Sequence, residues 1–353
     1  GVGAGDLEEY VRLFYAHDNL MGGCIWEFAD HAVYHADGEV KYTYGGDHGE
    51  TKHDSNFCVD GLFAPDRTPH PGAWQMKNCY RPVRAKKESD GVYSFFNHHY
   101  FAPVELTVAY TLLKDGVPAE NGSVQLALQP QTAQKVELPI QADSTCHTAV
   151  VFQYMDGERE VAFEQFVLQE GQLPFAAPVC KAPKLAVVSD NMRHEDDQIT
   201  AENTRMLFNT DTGRITSWLY KGRELVNQTP AYYEKGINPE LFRAPLDNDM
   251  YLAANWRKYG LEDVRAYLRK SRKKTTERSV VFTNQYLLST PRQKYLGDLT
   301  MVYEVFGNGQ VRVDVSFDYL TKINKIPRYG VVLELPQAFE QVRYFGLGEQ
   351  ENL

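Results

Sequence analysis

Apolar and polar positions divide the chain into three stretches with different periods. In the first, Leu7, Tyr10, Val11, Phe14 and Tyr15 recur at helical spacing, which predicts an amphipathic helix over roughly 6–17. Asp6 with Glu9 three residues later has the form of a capping box. Met21 to Phe28, reading MGGCIWEF, is nearly continuous in apolar residues and carries a glycine pair. That pattern predicts a strand buried on both faces of a parallel sheet or barrel. From Ala29 to Arg67 the pattern dissolves into Asp, His, Gly and Tyr, and irregular stretches of this length in compact domains usually carry function. Pro71 to about Tyr80 predicts a short helix with proline in its first turn.

The second stretch, Val83 to Leu168, alternates short β-rich runs at Val92–Phe96, Val104–Leu112, Val124–Leu128 and Ala149–Phe152. Asp-Gly or Asn-Gly turn signals stand at Asp90, Asp115, Asn121 and Asp156, and strands punctuated in this way predict an immunoglobulin-like sandwich. Pro174, Pro178 and Pro183 mark a linker. Beyond Leu185 further strands are predicted at Arg205–Asn209, Ile215–Tyr220, Val280–Thr283, Met301–Val305, Val311–Tyr319 and Val331–Leu335. One helical interruption is predicted near Leu252–Leu268, and the whole fits a larger sandwich.

Composition narrows the function classes. A length of 353 residues predicts two or three domains, and 43% hydrophobic with 24% charged residues is ordinary for a globular protein. The net charge of −10 argues against a nucleic-acid partner, which would require a basic footprint. The run RKSRKK at Arg269–Lys274 is read as a solvated helix end or loop. No apolar run is long enough to span a bilayer, so no membrane partner is expected. Five scattered cysteines, an odd number, suit free thiols and a cytoplasmic location better than a disulfide framework. The Gly1-Val2-Gly3-Ala4-Gly5 opening reads as an internal start.

Candidate chemistry concentrates between Trp26 and Asp60. An aromatic at a barrel strand end can form a sugar platform, although a tryptophan in a buried strand is more often a core residue. Asp30, His31, His35, Asp47, His48, His53, Asp54 and Asp60 could suggest a metal site, but their spacing matches no zinc signature. Glu27, Asp30, Asp54 and Asp60 offer carboxylates for acid/base work; nothing local says which two would pair.

Several longer segments resemble a known family. Gly22-Gly23-Cys24-Ile25-Trp26-Glu27-Phe28-Ala29-Asp30-His31, Tyr44-Gly45-Gly46-Asp47-His48-Gly49-Glu50 and Asn56-Phe57-Cys58-Val59-Asp60-Gly61-Leu62, followed by Asp66-Arg67-Thr68-Pro69-His70-Pro71, are similar to the barrel end of glycoside hydrolase family 2 β-galactosidases. Leu241-Phe242-Arg243-Ala244-Pro245-Leu246-Asp247-Asn248-Asp249 and Phe345-Gly346-Leu347-Gly348-Glu349-Gln350-Glu351-Asn352 resemble blocks of that family's C-terminal sandwich.

The resemblance implies a multidomain, mainly β chain. Residues 1–81 would be the C-terminal part of a (β/α)8 TIM-barrel catalytic domain and 82–180 an immunoglobulin-like β-sandwich. Residues 181–353 would be the N-terminal part of a large, galactose-mutarotase-like β-sandwich. The implied activity is retaining hydrolysis of terminal β-D-galactosides such as lactose. The nucleophile, in a Glu-Tyr-x-His-x-Met-Gly segment, the acid/base glutamate and the main magnesium ligands are expected upstream of Gly1, which would leave this chain inactive by itself. Trp26 and Asp54 align with the substrate floor. Phe57 and Asp60 align with positions that give a backbone carbonyl and a side-chain oxygen to a sodium or potassium ion beside the galactose. The family often has Asn at the second position, so Asp60 departs from it by adding charge. A third cation ligand is expected from an upstream domain, which implies weak or no occupancy here. The competing account is a noncatalytic carbohydrate-binding or assembly module. A helix, one strand and a second helix cannot close a barrel, so exposed apolar faces, with self-association into a homo-oligomer or local disorder, are expected over the first eighty or so residues.

Overall fold

A computed structural model describes residues 5–55, 57–171, 183–189, 196–245, 249–319, 323, 325–342 and 344. These divide into two compact units, one within Gly1–Pro174 and one within Phe175–Arg343. The segment Phe345–Asn352, residues Leu246–Asn248, Asn56 and the prolines at 174 and 178, all singled out in the sequence, lie outside the described residues.

The first unit opens with α1 (Leu7–Ala16), close to the predicted span, and buries Val11. Its start is not a capping box: Asp6 sits at φ 64° and makes no side-chain cap, and its carbonyl instead accepts from the Glu9 and Tyr10 amides at 3.1 and 3.4 Å. Met21–Phe28 is not a strand either. Trp26 is 73% exposed and Phe28 64% exposed; only the last residues of the run are bonded in parallel, to the segment near Phe63, through an isolated bridge rather than a ladder. The short hairpin β1 (Val33–Tyr34) and β2 (Tyr42–Thr43) follows. Then comes α2 (Pro71–Cys79), with proline in its first turn as predicted.

The sandwich of this unit consists of β3 (Val83–Ser89), β4 (Val92–Asn97), β5 (Val104–Lys114), β6 (Val117–Leu128), β7 (Ala133–Glu137), β8 (Thr148–Asp156) and β9 (Arg159–Gln169). They form two antiparallel sheets, ordered β3-β4-β7 and β6-β5-β8-β9. Alternate side chains of both sheets, among them Tyr93, Phe95, Val108, Leu112, Val150 and Phe152, build one core, as period-two burial requires. Asp115 at φ 51° and Gly116 at φ 76° turn β5 into β6, the double positive φ that favours Asp-Gly in hairpins. Asn121-Gly122, expected as another turn, lies inside β6. Gly122 faces Tyr110 there, where an added Cβ would stand 2.3 Å from the phenol oxygen.

The second unit is again mainly β. β10 (Ala186–Val188), β11 (Asp197–Ala201), β12 (Thr204–Asn209), β13 (Arg214–Tyr220) and β14 (Arg223–Glu224) form one antiparallel meander. β15 (Ile237–Glu240) precedes α3 (Met250–Tyr259) and a 3-10 turn at Leu261–Asp263. A second meander follows, β16 (Arg265–Thr275), β17 (Ser279–Thr290), β18 (Gln293–Phe306) and β19 (Val311–Tyr319). Finally β20 (Gly330–Leu333) pairs with β15. Phe208, Trp256, Phe282, Tyr286 and Tyr303 are central to its core. The helix predicted to reach Leu268 ends at Tyr259, because Gly260 takes the left-handed conformation at φ 72° and caps it. Arg269–Lys274 therefore falls in β16 and not in a helix end or loop. This strand ends its sheet, and cations along such an edge discourage pairing with another chain.

Candidate substrate-binding site

The residues from Trp26 to His70 are organised by two backbone segments lying side by side. Leu62 N donates to Glu27 O at 2.9 Å, Phe63 N to Phe28 O at 3.1 Å, and Asp30 N to Phe63 O at 2.9 Å, with a parallel bridge between Ala29 and Phe63. Gly61 makes this approach possible, since a Cβ there would stand 2.4 Å from Ala29 C and Asp30 N. Asp30, 6% exposed, fastens the pair: its Oδ1 accepts from Gly61 N at 2.8 Å and its Oδ2 lies 3.1 Å from His70 Nε2.

Trp26 projects from this scaffold, and the Trp26–Glu27 peptide bond is cis. The adjoining Glu27 carboxylate pairs with His31 Nε2 at 2.8 Å. Burial, then a hydrogen bond shared with Asp60, raises the Glu27 pKa above the ordinary carboxylate value, against the opposing pull of His31. Of the four carboxylates singled out in the sequence, the structure therefore brings Glu27 and Asp60 together and commits Asp30 to His70. Asp54 stands apart in a tight turn, where its carbonyl accepts from Phe57 N at 3.0 Å. Phe57 is 55% exposed.

Two of the histidines share one hydroxyl and a third bonds a backbone amide. His35 Nε2 and His48 Nε2 each lie 2.8 Å from Thr43 Oγ1, and His53 Nδ1 accepts from Ser55 N at 3.1 Å. Glu50 accepts from the amides of Gly46 at 2.7 Å and His48 at 3.0 Å, and these N–H groups, Gly46 first, hold its carboxyl below the usual range. Among the described residues no three His, Cys, Asp or Glu side chains converge as a metal site. The pairings of His70 with Asp30 and of Glu27 with Asp60 were invisible in the sequence, because the partners are far apart along the chain and belong to no local motif.

Comparison with known proteins agrees with this architecture. Residues 1–85 match the family described as "Glycosyl hydrolases family 2, TIM barrel domain", and residues 200–353 match "Beta galactosidase small chain". A β-galactosidase of Actinobacillus pleuropneumoniae is 30% identical over 99% of this chain and 34% of its own length. One of Staphylococcus xylosus is 27% identical over 99% of the chain and 35% of its own. One of Priestia megaterium is 26% identical over 100% of the chain and 34% of its own. Among solved structures, an exo-chitosanase of Amycolatopsis orientalis covers 76% of this chain and 32% of its own at 13% identity and a TM-score of 0.22, too loose a likeness to bear on function.

Fold, site and matched segments define the class: a multidomain, mainly β chain bearing a glycoside-hydrolase barrel segment at its N-terminal side. More particularly, its matched segments are those of glycoside hydrolase family 2 β-galactosidases, which the chain resembles along 99% of its length. It spans about a third of the length of the curated relatives it matches.

Proposed function

We propose that this chain is the part of a retaining β-galactosidase that supplies the substrate floor and two β-sandwiches, the whole enzyme cleaving terminal β-D-galactosides such as lactose. The observation that carries the reading is the match to β-galactosidases along 99% of the chain. It is supported by a tryptophan held in solvent above a hydrogen-bonded scaffold, suited to stacking on a sugar face. Orienting the sugar in this way lets binding energy reach the transition state.

Retention needs a nucleophilic carboxylate and an acid/base carboxylate roughly 5–5.5 Å apart across the bond. Glu27 shares its proton environment with Asp60 and His31, and Asp30 is committed to Gly61 and His70. These groups act as scaffold. In this reading both catalytic glutamates and the magnesium ligands belong to sequence upstream of Gly1, and the isolated chain is inactive.

A sodium or potassium ion beside the sugar would take the Phe57 carbonyl and an Asp60 oxygen. Two donors do not make a cage, and Asp60 is already tied to Glu27, so these residues fit the ion only in part and no step is routed through it. Location in the cytoplasm is the accompanying reading. No disulfide joins the described cysteines, Cys24, Cys58, Cys79 and Cys146, and no helix among the described residues is long and apolar enough to cross a membrane.

The test is Trp26→Ala in the full-length parent, assayed on a chromogenic β-galactoside. A loss in kcat/KM of at least about tenfold, equivalent to about 1.4 kcal/mol of transition-state binding, is expected, with partial rescue by Trp26→Phe. Unchanged kinetics would remove Trp26 from the substrate floor.

A further inference from the structure

We propose that the second unit carries a binding site of its own for a neutral pyranose sugar, in the crevice between the loop at 231–234, β15 and the start of β16. The crevice encloses about 670 Å³, within the roughly 300–1,000 Å³ typical of small-molecule sites. Its lining combines the groups that a polyhydroxylated ring requires. Arg214 and Arg265, paired with Glu234 and Asp263, retain further N–H donors, Glu240 and Glu262 provide acceptors, and Tyr232 and Tyr233 provide ring faces.

The geometry is built. The side chain of Arg214 is 4% exposed while that of its ion-pair partner Glu234 is 66% exposed. The guanidinium is thus fixed in the wall, with Nη2 also 3.5 Å from the Ala266 carbonyl. Tyr233 Oη donates to Glu240 Oε2, and Glu240 Oε1 accepts from Phe242 N at 3.0 Å, so this carboxylate is held from two directions. Tyr232, 91% exposed, rides on a loop fastened through its backbone. The amides of Ala231, Tyr232 and Tyr233 donate to the Glu334 carboxylate at 3.2, 3.4 and 3.2 Å. A flat aromatic group is therefore presented to solvent at the rim without the entropy cost of a free loop.

Charge selects the ligand class. Glu234, Glu240, Glu262 and Asp263 outnumber Arg214 and Arg265 in the lining, which disfavours phosphates and other anions. Interleaved acids and arginines on a mostly polar wall equally disfavour an apolar ligand. A neutral sugar meets both conditions, because each hydroxyl both donates to a carboxylate and accepts from a guanidinium.

The crevice belongs to the second unit and the Trp26 scaffold to the first, so the fate of this proposal is tested apart from that of the activity proposed above. The experiment is hydrogen exchange on the full chain with saturating methyl β-D-galactopyranoside or methyl β-D-glucopyranoside. Wild type and Trp26→Ala should show slowed exchange at 231–241 and 261–266. Tyr232→Ala, which replaces an exposed side chain and should leave the fold intact, should need about tenfold more sugar for the same protection. Glu240→Gln should weaken it while leaving the thermal midpoint within a few degrees. No protection at these residues with either sugar, protection that is abolished by Trp26→Ala, or equal affinity in Tyr232→Ala would each overturn the proposal.

Discussion

Single residues decide the shape of the barrel-type segment. Gly61 has no side chain because two backbones meet there, with Ala29 C and Asp30 N at 2.4 Å from where a Cβ would stand. Gly61→Ala should cost about 1–3 kcal/mol as an overpacked contact and speed hydrogen exchange at Leu62 and Phe63, whose amides bond Glu27 and Phe28. Unaltered exchange would show that the ladder tolerates a methyl group. His98 has a titration displaced by its surroundings. It stacks on Tyr15 at 4.1 Å, and burial, followed by the charges of Arg84 and Arg81, pushes its pKa down to about 4. The unfolded chain protonates it near the ordinary value of about 6.5, so the unfolded state binds the extra proton between the two values. Its contribution to stability is thus complete above about pH 6.5 and is lost as the pH falls toward about 4. The thermal midpoint should decline across that window, and less steeply in His98→Asn; parallel pH profiles would contradict the assignment.

Elements were legible in the sequence where periodicity and burial agree. α1, α2 and the sandwich strands β4, β5 and β8 follow from period, turn chemistry and proline placement, whereas β3, β7 and β9 were not singled out, and the strands near Phe208 and Val311 fall within a residue of the prediction. The failures share a cause, which is that local pattern does not know what lies alongside. MGGCIWEF reads as a buried strand, yet Trp26 and Phe28 stand largely in solvent and only an isolated bridge ties its end to the segment near Phe63. RKSRKK reads as a helix end, yet its pairing with Thr283 and Phe282 puts it in a strand. Within the candidate site, the Glu27–Asp60 and Asp30–His70 pairings depend on tertiary contact that no local motif encodes.

One such contact holds α2 to the sandwich. Arg81 Nε donates to Glu164 Oε1, and Glu8 pairs with both Arg81 and Arg84. Burial raises the Glu164 carboxyl against the pull of Arg81. Glu164→Ala would leave that cation buried with less compensation, a loss of about 3–5 kcal/mol in chemical denaturation. Replacing Arg81 and Glu164 together by Met and Leu should cost less than the single change; an equal or greater cost would mean that the charges contribute more than apolar packing can replace. In the other unit, Phe208 stacks on Phe282 with centroids 3.7 Å apart. Phe208→Ala should destabilise by roughly 3–5 kcal/mol, against less than about 0.5 kcal/mol for exposed Tyr251→Ala; a small loss at Phe208 would place the core elsewhere.

At the scale of the whole molecule, the two units have separate cores and separate ways of presenting aromatic groups to solvent. One offers Trp26 over a carboxylate–histidine scaffold, the other Tyr232 over a crevice of mixed charge. Both are proposed here as sugar sites, and neither proposal needs a catalytic carboxylate pair in this chain. The direct test of that division of labour is the steady-state hydrolysis of a chromogenic β-galactoside by the purified chain, measured beside its full-length parent and free of host enzyme. The account predicts turnover by the parent and none above the buffer rate by the chain. Substantial turnover by the chain alone would contradict it, and would return Glu27, Asp30 and Asp60 to consideration as catalytic groups.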